Sequence, residues 1–202
     1  GRSPAETRDI MESANIHSGI FMNGQVVLYQ GQLVYSSEIP TETVEKFHQM
    51  VKEDGYGLTA YNDKQFYLVA SSPGAKDAYG FIHSNPPALN PDFYKENPIN
   101  MMLFISLPPA EEKYKVAFPN LDFLRNTPYS VDVISKGNSK AEGIKRFLEH
   151  LNQEDAKTYA FGDGPNDIEM LQAVSHPVAM GNALPILKEI AEFITTDNTD
   201  NG

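Results

Sequence analysis

The stretch AFGDGPNDIEML, from Ala160 to Leu171, sets two aspartates, Asp163 and Asp167, four residues apart where the texture of the chain changes. Ahead of it "KTYAF" reads as a strand, behind it "NDIEMLQAV" reads as a helix, and Gly162, Gly164 and Pro165 break the chain between them. A strand feeding a helix in this way has a carboxyl end, and sheets built from alternating strands and helices place their ligands at that end. Asp163 is expected to point from the strand into the crevice and Asp167 to sit in the first helical turn, both facing one point. Converging carboxylate oxygens with room for waters suit Mg²⁺, which takes octahedral oxygen ligation and keeps several waters. The free N–H groups and positive dipole end of the helix suit an anion, with Asn166 as a neutral donor between the acids. A plain helix cap is the competing reading of the same spacing.

Working outward, the segment from Ser130 alternates strictly. "YSVDVIS" reads as a strand, "SKAEGIKRFLEHLN" as a helix, "KTYAFGD" as a strand, "NDIEMLQAV" as a helix, "HPVAMGN" as a strand, "LPILKEIAEF" as a helix and "FITT" as a last strand. Such alternation predicts an α/β fold with a parallel sheet covered by helices on both faces, and "TYAF" as one of its buried strands. Lys140 opens the helix after Ser139, its expected N-cap, so its ammonium falls at the same carboxyl edge as the two acids. A lysine there would offset the charge of a transferring phosphoryl group. A solvated surface lysine is the alternative, and Lys136 is a nearby rival.

Toward the amino end, Ser3, Pro4 and Glu6 form a capping-box signature and predict a helix over residues 3–14. "SGIFMNGQVVLYQGQLVYSSEI" reads as short β segments around Asn23-Gly24 and Gly31. "TETVEKFHQMVKEDG" puts Val44, Phe47, Met50 and Val51 on one helical stripe that Gly55 closes, and "YGLTAYN" and "QFYLVASS" follow as strands. Residues 72–128 concentrate the prolines around one clear apolar strand, "NMMLFIS", as in a loop-rich α+β unit.

The 202 residues carry a formal charge of −11, which disfavours a nucleic-acid partner. No apolar run approaches the roughly 20 residues that span a bilayer, so no membrane partner is expected. The absence of cysteine removes thiolate chemistry and disulfides and makes the cytoplasm the expected location. His17, His48, His83, His150 and His176 are dispersed without a metal-binding spacing. Gly181-Asn182 ahead of "ALPILKEIAEF" reads as a turn and N-cap.

"ISKGNSKAEGIKRFLEHL", "YAFGDGPNDIEMLQAVSHPVAMGNALPILKEIA" and "ITTDNTDNG" together resemble the haloacid dehalogenase superfamily, specifically its Cof-like phosphatases with a large cap. The resemblance is strong over Ser130–Gly202 and moderate over Gly1–Ile39, and it rests on length and texture between them. It implies a Rossmann-like core from residues 1–39 and 129–202, with a cap inserted at 40–128. It implies further that Asp163 and Asp167 hold Mg²⁺, that Lys140 is the catalytic lysine and that Asn166 touches the phosphate region. Arg2 would follow the motif-two hydroxyl residue, and Asn23 would face the crevice. Read without the family, Arg2 is a surface arginine and Asn23 a turn residue. The implied reaction is Mg²⁺-dependent hydrolysis of small phosphorylated metabolites such as sugar phosphates, through an aspartyl-phosphate.

The departures from the family pattern carry weight. Its members bear a DxD motif, nucleophile and general acid, at the end of their first strand, and these 202 residues hold no counterpart. Covalent catalysis needs its nucleophile, so the literal chain is expected to be inactive. A trimmed phosphatase is the favoured explanation, and a catalytically dead phosphoryl-ligand binding or regulatory module is the alternative. Ala141 stands where Gly is usual, and Gln25 where Ala is common. The sequence carries no signal for oligomeric state.

Overall fold

A computed structural model describes residues 1–202. The elements run α1 (Pro4–Ser13), β1 (Gly19–Phe21), β2 (Val26–Tyr29), β3 (Gln32–Ser36), α2 (Thr41–Glu53), β4 (Gly57–Tyr61) and β5 (Phe66–Ala70). They continue with α3 (Ala75–Phe81), α4 (Phe93–Glu96), β6 (Met101–Ile105), α5 (Glu111–Ala117), β7 (Leu121–Thr127) and β8 (Ser130–Ser135). The last are α6 (Lys140–Leu151), β9 (Tyr159–Gly162), α7 (Ile168–Ala173), β10 (His176–Ala179), α8 (Pro185–Ile190) and β11 (Phe193–Ile194). Two compact units emerge, one of Gly1–His17 with Ser36–Gly137 and one of Ser18–Tyr35 with Asn138–Gly202. No helix is long and apolar enough to cross a membrane.

The first unit is built on an antiparallel sheet of order β5-β4-β6-β8-β7. Its interior strand β4 is buried along its whole length and shows the period-two logic of a strand covered on both faces. Leu58 and Ala60 join the α2 stripe of Val44, Phe47 and Val51 in one core, where Phe47 meets the rings of Phe104 at 5.6 Å and Phe118 at 4.9 Å. Thr59 and Tyr61 alternate to the other face, and their hydroxyls meet that of Tyr79 on α3 at 2.8 and 3.0 Å. Helix α1 has the expected capping box, with the Ser3 hydroxyl accepting from the Glu6 N–H.

This unit corrects the sequence reading twice. The strand at 130–135, expected to open the parallel sheet, pairs antiparallel with both β6 and β7. Its valines, Val131 and Val133, are fully buried in the α2 core, so it reads as an apolar run like any parallel strand, and alternation alone does not reveal its partners. Residues 72–128 also hold more regular structure than one strand, since β7 and three short helices lie among the prolines.

In the second unit, β1, β2 and β3 form an antiparallel sheet, and β11, β10 and β9 a parallel one. Leu171 of α7, Leu187 of α8, Ala160 and Ala179 pack one face of the parallel sheet. On its other face Tyr159 and Phe161 remain 61% and 60% exposed. The expectations of a fully buried "TYAF" and of helices on both faces are therefore met on one side only. The α/β character and the parallel order stand. Helix α6 lies against β1 and β2, and a glycine permits the approach: a Cβ on Gly143 would come within 2.4 Å of Ile20 Cγ2 and 3.1 Å of Gly24 Cα. Arg146 on α6 pairs with Glu142 at 2.8 Å and lies over the Tyr35 ring at 5.4 Å.

Candidate active site

Strand β9 ends at Gly162, and the chain turns through Gly164 and Pro165 into a 3₁₀ turn over Pro165–Asp167 before α7 begins. The turn carries Asp167 back under the strand end. A Cβ on Gly162 would sit 2.7 Å from Asp167 Cβ, so glycine is the residue that admits this packing. Asp167 Oδ2 accepts the backbone N–H groups of Asp163 and Gly164, both at 3.0 Å. Its Oδ1 is paired with Lys140 Nζ. Ser139 caps α6, its hydroxyl accepting from the Glu142 N–H at 3.3 Å, and so fixes Lys140 at the first position of that helix.

The Asp167 side chain is 7% exposed and the Lys140 side chain 30%. Burial works to raise the Asp167 pKa, but the bond from Lys140 and the two loop N–H groups outweigh it and hold the carboxyl below its ordinary range. The acid is therefore an anion at neutral pH, and the lysine beside it is anchored. The rival lysine is engaged elsewhere: Lys136 Nζ donates to the Pro119 carbonyl at 3.2 Å, within the first unit.

Asp163 is exposed and engaged differently. Its Oδ2 accepts from Asn182 Nδ2 at 3.0 Å, and its carbonyl accepts the Leu184 N–H at 3.2 Å. An ionised carboxylate offers about four acceptor sites. Asp167 commits three of them to Lys140 and the loop, whereas Asp163 commits one. An exposed carboxylate with spare lone pairs, backed by a second acid, fits a hard cation that takes one or two carboxylates along with waters and a phosphate oxygen. No cluster of three or more His, Cys, Asp or Glu side chains suited to a metal occurs in the chain, so an all-protein cage is not the arrangement on offer.

Asn166 and Asn23 meet directly, Asn166 Nδ2 donating to Asn23 Oδ1 at 3.1 Å. Asn23 is buried, and it sits in a run of three left-handed residues, Met22 at φ 50°, Asn23 at φ 55° and Gly24 at φ 93°. A left-handed methionine is costly, and strained backbone of this kind concentrates at functional sites. Gly24 is obligatory here, because a Cβ on it would lie 2.0 Å from the Ser139 carbonyl oxygen. The turn is thereby locked to the cap of α6. Arg2 lies in the first unit, exposed, just ahead of α1.

Lys140, Asp163, Asn166, Asp167 and Asn23 thus gather within one unit. Sequence reasoning missed Asn182, which the spacing suggested as a cap for α8. The residue preceding that helix is Leu184, without a side-chain cap, and Asn182 turns to Asp163 instead. A signal was available: Asn182 follows β10, and loops after neighbouring parallel strands converge on one edge. A cavity of about 680 Å³ also occurs, lined entirely by first-unit residues including Tyr56, Leu107 and Tyr114. Its lysine, Lys113, is already neutralised by both Asp54 oxygens at 2.8 Å, so it presents no free charge to an anion.

The model of the haloacid dehalogenase-like hydrolases matches residues 1–202. The chain belongs to this family. Among hydrolases of similar sequence, "Putative phosphatase YkrA" of Bacillus subtilis (strain 168) is 37% identical over 203 residues, covering 100% of this chain and 79% of that protein. Among solved structures, a hypothetical protein from Geobacillus kaustophilus HTA426 superposes with a TM-score of 0.91 at 31% identity, covering 100% of this chain and 79% of that one. BT4131, a sugar phosphatase of haloacid dehalogenase subclass IIB, superposes with a TM-score of 0.83 at 25% identity over the same shares. The Cof-like phosphatase character expected from the sequence agrees with these relatives.

Proposed function

We propose that this haloacid dehalogenase-like hydrolase is a Mg²⁺-dependent phosphomonoester hydrolase acting on small phosphorylated metabolites such as sugar phosphates. One observation carries the reading: an ammonium, Lys140, is pinned by a buried carboxylate, Asp167, that is itself tied to the turn bearing an open carboxylate, Asp163. Cation and anion meet there at the carboxyl end of a parallel strand, where phosphoryl chemistry can use both. The sugar phosphatase activity of BT4131 supports the substrate class.

Asp163 would hold Mg²⁺ directly, with Asp167 behind it. The bound cation would supply positive charge against the phosphoryl oxygens. Lys140, held in place by its partner, would bind a phosphoryl oxygen and steady the approach of the nucleophile. The Asn166 amide would donate to the phosphate once released from Asn23. Residues 40–128 would act as the cap that selects the leaving group. The nucleophilic and proton-transferring aspartates of the family have no counterpart in the 202 residues, so these residues alone would bind without turning over.

The test joins a first strand bearing DxD ahead of Gly1 and measures phosphate release from a generic ester. Release that needs Mg²⁺ and is lost in Asp163→Asn supports the reading, while rates unchanged by that substitution overturn the metal assignment. The second reading is a phosphoryl-ligand binding module of the same fold. An extended chain that binds phosphate but never releases it from an ester would select it.

A further inference from the structure

The two acids are held by different devices, and that of Asp163 reaches into the carboxyl-terminal segment. We infer that Asn182 is a positioning residue that aims the Asp163 carboxylate, and that the backbone of residues 196–198 sets the direction in which the Asn182 amide points. The inference rests on Asp163 being a metal ligand, as proposed above.

A side-chain amide has one accepting end and one donating end, and only the donating end can bond a carboxylate. At Asn182 the choice is forced from behind. The Asn198 backbone N–H, which can only donate, faces Asn182 Oδ1 at 3.3 Å, so Nδ2 is turned toward Asp163 Oδ2, 3.0 Å away. The loop cannot drift, because the Gly181 N–H donates to the Thr196 carbonyl at 3.0 Å. A Cβ on Gly181 would lie 2.6 Å from the Thr196 carbonyl carbon and the Asp197 nitrogen, so the two backbones are in contact. The chain of bonds therefore runs from 198 through Asn182 to one oxygen of Asp163 and leaves the other oxygen presented. Groups that orient a ligating carboxylate in this way are worth about 10- to 100-fold in metal affinity.

The experiment titrates Mn²⁺ as a spin-active stand-in for Mg²⁺ into the 202-residue protein, Asp163→Asn and Asn182→Ala, with a thermal melt of each. A parallel nitrogen-15 spectrum follows the Asn182 side-chain amide during a Mg²⁺ titration. Asn182→Ala is expected to bind the cation about tenfold more weakly while melting close to the unsubstituted protein. The Asn182 amide resonance is expected to move on Mg²⁺ addition, and to stay still in Asp163→Asn. Wild-type affinity in Asn182→Ala, with binding lost in Asp163→Asn, overturns the role of Asn182 and leaves the metal site standing. Binding that survives Asp163→Asn, or no binding by the unsubstituted protein, overturns the metal reading itself and the inference with it.

Discussion

Replacing Lys140 by methionine keeps most of its volume and removes its charge, leaving Asp167 as a buried anion held only by the N–H groups of Asp163 and Gly164. A hydrogen bond to a charged group contributes roughly 1.5–3 kcal/mol, and stranding one partner of a fully buried pair costs about 3–5 kcal/mol. The lysine side chain is 30% exposed and the aspartate 7%, so screening places this pair toward the lower range. The expected loss is about 2 kcal/mol at pH 7. With a urea slope of ~2 kcal/mol/M, the unfolding midpoint falls by ~1 M. The loss also carries a pH signature. The folded pKa of Asp167 is depressed, so its contribution is present above the unfolded value of about 3.9 and disappears as pH falls through the lower folded value. Urea melts of Lys140→Met and the unsubstituted protein, followed by circular dichroism from pH 7 to 3, should therefore begin to converge as pH falls below about 4. A deficit under ~0.5 kcal/mol at pH 7, or one equally large at pH 3, would refute the reasoning.

Two further outcomes follow from the same unit. Gly162→Ala drives a methyl to within 2.7 Å of Asp167 Cβ, which has no flexible end to swing aside, and should cost roughly 1–3 kcal/mol in a thermal or urea melt; a neutral result would show that the turn holds Asp167 less tightly than its contacts require. Gln25 is fully buried and both polar atoms of its side chain lack a protein partner, so Gln25→Met should raise the unfolding midpoint by an amount equivalent to about 1–3 kcal/mol; a lower midpoint would mean that the amide is serving a bond.

The legible parts of the sequence were those where local chemistry decides. Ser3 and Ser139 cap their helices through their own hydroxyls, and the α2 stripe is a matter of spacing along one helix. The position of Lys140 beside Asp167 followed from a cap and a strand end, both local signals that fix where each side chain emerges. Strand 130–135 was misplaced because pairing partners are set by distant residues: Val131 and Val133 would suit any apolar sheet, and what recruits them is α2, more than 70 positions earlier. The exposed rings of Tyr159 and Phe161 were hidden for a related reason, since an apolar strand reads alike whether one face is covered or two. Asn182 escaped because Gly-Asn before a helix is an ordinary turn signal, and its partner lies 19 residues back across a strand.

The two aspartates make the limit of spacing arguments concrete. Four residues apart and of one chemical type, both were expected to face one point and hold the cation. The backbone makes them unequal. Gly162 has no side chain, so the 3₁₀ turn can fold Asp167 under the strand, where the N–H groups of 163 and 164 consume one oxygen and Lys140 claims the other. Those bonds stabilise the very turn that lifts Asp163 out. An anion buried behind a loop rigidifies it and holds a lysine in place, while an anion at the surface with spare lone pairs can exchange water for a cation without disturbing the fold. On the proposed reading, stability and ligation would be divided between the acids, with the lysine on the acid held inside.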